Sequence, residues 1–201
     1  MMEWTAFEDQ ARTEGYICIC GIDEAGRGPL AGPVYAAAVV LRPGQVIAGV
    51  NDSKKLSEKK REALFDTICS QCAAYGIGSA TEKEIDEINI LNATYLAMQR
   101  AVAALPVQPD CALVDGNRAP DLPLEVRTII KGDAQSASIA AASILAKVSR
   151  DRYMLQMAEK YPQYAFEKHK GYGTKLHYER LEQYGISPIH RLSFLKKWMN
   201  R

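Results

Sequence analysis

Four apolar runs with strand character recur along the chain, each followed within two residues by Gly, Pro or Asp. The runs YICICGI (16–22) and PVYAAAVVL (33–41) are rich in β-branched and aromatic residues and are separated by a loop of glycine and proline. CALVDG (111–116) and EVRTIIKGD (125–133) have the same character. The pattern therefore predicts two neighbouring strands near the N-terminus and two more beyond the middle of the chain.

Amphipathic or small-residue stretches between and after these runs predict helices. An apolar stripe at spacings of three and four continues through Leu91, Tyr95, Met98, Val102 and Leu105, after a capping box at Thr81–Glu84. The other predicted helices are 57–75 with Ser57 as N-cap, 134–161, 174–184 closed by Gly185, and one that starts at Ser187. Alternating strands and helices predict one α/β domain, residues 1–160, with a basic helical C-terminal extension, residues 161–201.

Composition agrees with a globular protein. The 201 residues are 47% hydrophobic and 24% charged, the polar start is neither a secretory signal nor a transit peptide, and no apolar run reaches the ~20 residues that span a bilayer. Five cysteines without a regular framework indicate reduced thiols, so we expect a cytoplasmic protein. Cys69 and Cys72 have zinc-like spacing, but no second ligand pair accompanies them.

The net charge of +1 hides an asymmetry. Residues 161–201 hold 8 Lys/Arg and 3 Asp/Glu, together with all three histidines, whereas the first 160 residues hold 17 and 21. A basic segment on a mildly acidic body is one mark of a protein that binds a polyanion. Solvated helix faces are the simpler explanation, and charge alone favours them.

Three aspartates each follow an apolar run: Asp23, Asp115 and Asp133. Each has a local explanation, because Asp23 and Glu24 could open a solvated turn, Asp115 could begin a hairpin turn, and Asp133 could cap a helix. Their repetition favours another interpretation. Carboxylates that end strands can converge at one sheet edge, where they repel one another unless a cation neutralises them. Ligands that are all oxygen favour Mg²⁺ or Mn²⁺.

The loop Gly26-Arg27-Gly28-Pro29 has two explanations. It lacks the Gly-Lys-Ser/Thr of a phosphate-binding P-loop, and a second strand follows it, which does not fit a dinucleotide fingerprint. The glycines could make a tight turn. Alternatively, they let the backbone approach a ligand, with Arg27 available for a phosphate.

Several motifs together resemble type 2 ribonuclease H, the ribonuclease HII family. They occur in the family's order over about residues 16–200: GIDEAGRGPL (21–30), DSKKL (52–56), VDGN (114–117), KGDA (131–134), KGYGT (170–174) and, as in bacterial members, SPIHRLSF (187–194). The resemblance implies a ribonuclease H-like fold, a mixed sheet flanked by helices. It also implies hydrolysis of the RNA strand of RNA–DNA hybrids and cleavage 5′ of ribonucleotides embedded in duplex DNA, giving 5′-phosphate and 3′-hydroxyl ends.

The resemblance also implies roles for individual residues. Asp23, Glu24, Asp115 and Asp133 would be the catalytic carboxylates and would hold two Mg²⁺ or Mn²⁺ ions with substrate bound. The backbone of Gly26, Arg27 and Gly28 would read the ribose 2′-OH, and Tyr172 would pack beside that sugar.

Other basic residues are candidates for contacts with the nucleic acid. Lys54 could contact a phosphate or be a solvated charge at a helix entry. His169, Lys170, His190 and Arg191 could belong to a duplex-binding face. We expect a monomer with no membrane association and no obligate protein partner. Two rival functions remain: a nuclease of the same fold that cuts DNA, and a non-catalytic hybrid-binding module. Four intact acids disfavour the second, because negative charge beside phosphates weakens binding.

Overall fold

The structure, a computed structural model, describes residues 4–50 and 56–200. Its strands are β1 Ile19–Ala25, β2 Val34–Val40, β3 Ala74–Ala80, β4 Cys111–Asp115 and β5 Glu125–Ile129. Its helices are α1 Ala6–Thr13, α2 Glu58–Gln71, α3 Glu82–Ala103, α4 Ala137–Lys160, α5 Phe166–His169, α6 Lys175–Tyr184 and α7 Leu192–Met199. Short 3₁₀ turns at Gly132–Ala134 and Pro162–Tyr164 precede α4 and α5.

The five strands form one mixed sheet in the order β3-β2-β1-β4-β5. Strand β1 pairs antiparallel with β2 and parallel with β4, and β4 pairs parallel with β5. The alternative that Asp115 begins a hairpin turn is therefore wrong, because a hairpin joins antiparallel strands. Since β1 and β4 run in the same direction, their carboxyl ends lie at one edge of the sheet.

Helices α3 and α4 cover opposite faces of the sheet, which confirms the predicted mixed sheet with flanking helices. Successive residues of a strand point to opposite faces, and accordingly Ala36 belongs to the core beneath α3 whereas Ala37 belongs to the core beneath α4. Helix α4 approaches β1 closely at Gly21, where a Cβ would lie 2.3 Å from the Ile139 nitrogen. The small residues of α4 thus pack directly on the central strand.

Strand β3 is an element that the sequence pattern missed, because the helix predicted over 57–75 runs into it and α2 ends earlier. Two glycines, Gly76 and Gly78, hide the strand, since glycine is depleted in strands. A Cβ at either position would lie 2.2 or 2.3 Å from a carbonyl oxygen of α3. Close packing of α3 on the sheet explains these glycines, and the sequence alone does not show that contact.

The last helix begins at Leu192 and not at the predicted Ser187. The segment before it lies against the loop that precedes β2, where His190 and Ala31 form an isolated β-bridge. Asp86 on α3 accepts hydrogen bonds from the first backbone N–H groups of α7 at 2.9 Å. A contact with a distant helix therefore sets the start of α7.

Several basic residues of the C-terminal segment are buried. His169, His190 and Arg191 are 7%, 3% and 0% exposed, so the prediction that they belong to a duplex-binding face is wrong. Lys170 is half-buried, and its ammonium group donates to the Glu167 carbonyl at 2.7 Å. The basic balance of the segment thus overstates the charge that it presents to solvent.

Two of the buried histidines form a chain of hydrogen bonds that ends at the backbone of Tyr172. His190 Nδ1 accepts from the Ser187 N–H at 2.9 Å, so its protonated Nε2 donates to His177 Nε2 at 2.9 Å. The proton of His177 then lies on Nδ1, which donates to the Tyr172 carbonyl at 2.9 Å. Both imidazole rings must be neutral for this series of hydrogen bonds to form.

We expect His177 and His190 to remain neutral at about pH 5.5, where an exposed histidine is mostly protonated. Burial lowers the pKa of each to about 4. The unfolded chain takes up protons below about pH 6.5 that the folded chain does not, so these groups lower the free energy of unfolding as the pH falls toward 4. Imidazole nitrogen shifts measured by NMR test this, and a charged ring at either position at that pH would contradict the hydrogen-bond chain.

All five cysteines are free thiols, and Cys69 and Cys72 belong to no group of metal-ligand geometry within the described residues. Across residues 4–50 and 56–200, none of the helices combines the length and hydropathy needed to cross a bilayer.

Candidate active site

Three aspartates from separate parts of the chain meet at the carboxyl edge of β1 and β4. Asp23 lies in β1, Asp115 ends β4, and Asp133 lies in the 3₁₀ turn before α4. One carboxylate oxygen of each lies within 4.8 Å of the others. These oxygens are close enough to share one ion, and hard divalent cations prefer oxygen ligands.

Hydrogen bonds fix the turn that carries Asp133. Asp115 Oδ1 accepts from the Gly132 N–H at 2.6 Å, which holds the turn against the end of β4. Helix α4 is capped by Ser136, whose hydroxyl accepts from the Ile139 N–H. The alternative that Asp133 merely caps this helix is therefore wrong.

Asp23 is buried beside other negative charge. It is 5% exposed and accepts hydrogen bonds from the Glu24 N–H, at 2.7 Å, and from the Ser143 hydroxyl. Burial raises the pKa of Asp23 well above its usual range, and the charges of Glu24 and Asp115 raise it further. A bound cation would reverse this balance, so the cluster has the electrostatic character of a metal site. A solvated turn, the local alternative for this residue, is wrong.

Glu24 points to the other face of β1, because neighbouring strand residues alternate. Its carboxylate lies 3.3 Å from the Arg27 guanidinium and outside the group of three aspartates. Burial raises the pKa of Glu24, and the charge of Arg27 opposes that rise. The structure thus brings together three of the four predicted carboxylates and pairs the fourth with an arginine.

A cleft of about 290 Å³ opens beside the carboxylates. Its lining consists of residues 23–28, Asp115, Arg61, Ser143, Lys147 and Tyr172. The cleft therefore combines the acidic cluster, the glycine loop and the predicted aromatic side chain with two cationic side chains.

The two glycines of the loop have different surroundings. Gly26 has φ +99°, and a Cβ there would lie 2.2 Å from Nε of the buried Arg150. Gly28 lies outside the left-handed region, and among the described residues its added Cβ would meet only Tyr172 Cε1, at 3.9 Å. The fold therefore requires glycine at position 26 but not at position 28.

Tyr172 is fixed by its backbone, while its ring faces the cleft. Its N–H donates to the His169 carbonyl at 2.9 Å, and its own carbonyl accepts from His177. The side chain is part of a residue that is 42% exposed, and Lys147 Nζ lies 5.9 Å from the ring centroid. Arg150 Cζ lies 5.6 Å from the same centroid, on the buried side. An anchored loop with a partly exposed ring is suited to contact a ligand.

Sequence reasoning missed Arg61, Ser143 and Lys147. Arg61 lies on a helix that otherwise has an ordinary solvated face, so no local pattern marks it. Lys147 follows the buried run AAASILA of α4, and a charge directly after such a run is a usable signal. The predicted phosphate contact Lys54 lies outside the described residues.

Comparison with known proteins places this geometry among nucleases. A family model described as Ribonuclease HII matches residues 20–197. A ribonuclease HII of Caldicellulosiruptor bescii is 59% identical over 189 residues, which cover 94% of this chain and 92% of that protein. One of Marinomonas sp. is 62% identical over 177 residues, covering 88% and 89%. The crystal structure of ribonuclease H2 from Pyrococcus horikoshii superposes with a TM-score of 0.74 at 28% identity, covering 92% of this chain and 100% of that one.

Proposed function

This chain belongs to the ribonuclease HII family, and we propose that it cleaves duplex DNA 5′ of embedded ribonucleotides in addition to the RNA strand of hybrids. The family membership makes it a divalent-metal-dependent endoribonuclease of RNA–DNA hybrids. The observation that carries the finer proposal is one cleft lined by two of the three clustered aspartates, Asp23 and Asp115, together with the glycine loop and an exposed tyrosine ring.

Asp23, Asp115 and Asp133 would hold Mg²⁺ or Mn²⁺, and Glu24 would complete the set. The fit is favourable, since the donors are all oxygen and the buried charges repel one another without a cation. Bound divalent cations supply Lewis-acid stabilisation of charge on the scissile phosphate and activation of a water. The aspartates fix where that chemistry takes place, because two strand ends and a hydrogen-bonded turn hold them.

Cationic side chains of the cleft would hold the substrate backbone. Arg27 is half exposed and could turn to a phosphate, which would release Glu24 from its ion pair. Arg61 and Lys147 line the same cleft and would neutralise neighbouring phosphates. Residues 1–160 would form the catalytic domain, and the extension 161–201 would complete the substrate-binding face through Tyr172.

A duplex with a single ribonucleotide tests the proposal directly. With Mg²⁺ or Mn²⁺ we expect one cut 5′ of the ribonucleotide, leaving 5′-phosphate and 3′-hydroxyl ends. The same duplex with EDTA in place of metal and an all-DNA duplex with metal are the controls, and neither should be cut. Equal cleavage of the all-DNA duplex would instead identify a DNA nuclease of the same fold.

Gly28→Ala should lower kcat/KM on a single ribonucleotide by about tenfold or more, with little change in stability. The described residues leave room for the new methyl group, since the nearest of their atoms outside the adjoining residues is 3.9 Å away, so we expect the loss of activity to come from a clash with the bound substrate. Kinetics and thermal melting on the same preparation measure both quantities.

Gly26→Ala is the matched comparison, since its methyl group would collide with Arg150 and must lower the melting temperature. Wild-type kinetics for Gly28→Ala would show that the glycine only serves the turn.

A further inference from the structure

A buried guanidinium lies beneath the glycine loop. Arg191 is fully buried and donates to three backbone carbonyls between β1 and β2: Gly26 at 2.6 Å and Arg27 at 3.0 Å in the glycine loop, and Gly32 at 2.8 Å just beyond it. Its own N–H donates to the Leu30 carbonyl at 2.8 Å. One side chain near the C-terminus thus fixes a loop that lies about 160 residues earlier in the sequence.

This cation has no carboxylate within 4.0 Å in the described part of the chain. Burying a charge is expensive unless it is paired or hydrogen-bonded. Here the compensation comes from loop carbonyls, which need a planar, forked donor and not merely a positive charge. The arrangement therefore stabilises one orientation of the loop peptides.

Peptide planarity carries this orientation to the other side of the loop. In a trans peptide the C=O and the following N–H point in opposite directions, and the described residues contain no cis peptide bond. With the Gly26 and Arg27 carbonyls turned inward to Arg191, the N–H groups of Arg27 and Gly28 turn outward. Both residues are exposed at the cleft, and within residues 4–50 and 56–200 neither N–H donates to a protein atom.

We propose that Arg191 is a positioning residue for ribose recognition, which holds the Arg27 and Gly28 N–H groups toward the cleft to donate to a 2′-hydroxyl oxygen. This inference rests on the proposed function, because it concerns the same ribose. Arg191 itself touches no substrate. It acts through two peptide planes, so its effect is on the choice between ribose and deoxyribose.

Arg191→Lys keeps the positive charge but cannot make the forked contacts. We measure Kd, without divalent cation, for a duplex with one ribonucleotide and for the same duplex made wholly of DNA. In the wild type we expect the ribonucleotide to tighten binding by about tenfold, the order of one or two hydrogen bonds. In Arg191→Lys the ratio of the two Kd values, all-DNA duplex over ribonucleotide duplex, should fall toward one, while affinity for the all-DNA duplex changes little.

Asp110→Ala is the matched control for lost stability. Asp110 accepts from the Ile17 and Cys18 N–H groups at 2.8 and 3.0 Å, at the opposite edge of the sheet. It should lower the melting temperature and leave the ratio at the wild-type value. An unchanged ratio in folded Arg191→Lys, or an equal fall in Asp110→Ala, would overturn the proposal.

The wild-type protein offers a test that needs no variant. On titration without metal, the amide resonances of Arg27 and Gly28 should shift more with the ribonucleotide duplex than with the all-DNA duplex. If neither amide distinguishes the two, the proposal fails even where Arg191→Lys does not fold. Failure of the wild type to cut at a ribonucleotide would instead overturn the proposed function.

Discussion

Asp23→Asn and Asp115→Asn are each expected to lower the rate of cleavage by at least about 10³-fold in saturating Mg²⁺, a loss typical of a principal electrostatic group. Each change removes a negative charge from a cluster whose oxygens lie within 4.8 Å of one another. Asparagine keeps an Oδ1 acceptor, so the hydrogen bonds from the Glu24 and Gly132 N–H groups can persist. The loss should therefore arise from the missing charge and not from a displaced turn.

Without metal, the same variants should be as stable as the wild type, or more stable by about 1 kcal/mol. Burial and neighbouring charges raise the pKa of Asp23, so its ionised form destabilises the folded state at neutral pH. The wild type should regain this stability as the pH falls through the raised pKa, and Asp23→Asn should not.

Urea unfolding of the metal-free proteins at two pH values measures this difference. Asp66→Asn, at a side chain that is 82% exposed, is the control and should change neither rate nor stability. Normal turnover by either cluster variant would refute the assignment of ligands.

Tyr172→Ala should cut cleavage beside an isolated ribonucleotide by about 10²-fold and cleavage within a long hybrid by about tenfold. The ring lies in the cleft opposite Gly28, where it can pack on the ribose. A single ribonucleotide offers one sugar of the correct shape, whereas a long hybrid offers many registers. A misplaced sugar should therefore lower the cleavage rate more on the duplex with a single ribonucleotide than on the long hybrid.

The variant should remain folded, because the Tyr172 backbone keeps its hydrogen bonds to His169 and His177. Tyr184→Ala removes a similarly exposed ring outside the cleft and should leave the ratio of the two rates unchanged. Tyr172→Phe removes the hydroxyl and keeps the ring, so a small change in the cleavage rates would indicate that the ring acts by packing on the ribose. Equal, modest losses on both substrates with a lowered melting temperature would show that the ring only fills its loop.

Most of the framework of the site was predictable from local pattern. Apolar runs ended by Asp23 and Asp115 gave strands, and the order of elements gave the α/β class. The fold class is confirmed because strand periodicity acts over a few residues. The family motifs supplied the proposed ligand set and Tyr172, whose roles stay predictions.

The sequence by itself therefore determined the class of fold and the family, and it supplied the acidic residues that we propose as ligands. Only the tertiary structure decided which way individual side chains point. It buried His190 and Arg191, turned Glu24 to Arg27, and brought Lys147 to the cleft. The physical reason is that the type of a charged residue does not show whether its side chain faces solvent or a buried carbonyl. Its partner lies far along the chain, as the contact between Arg191 and Gly26 shows.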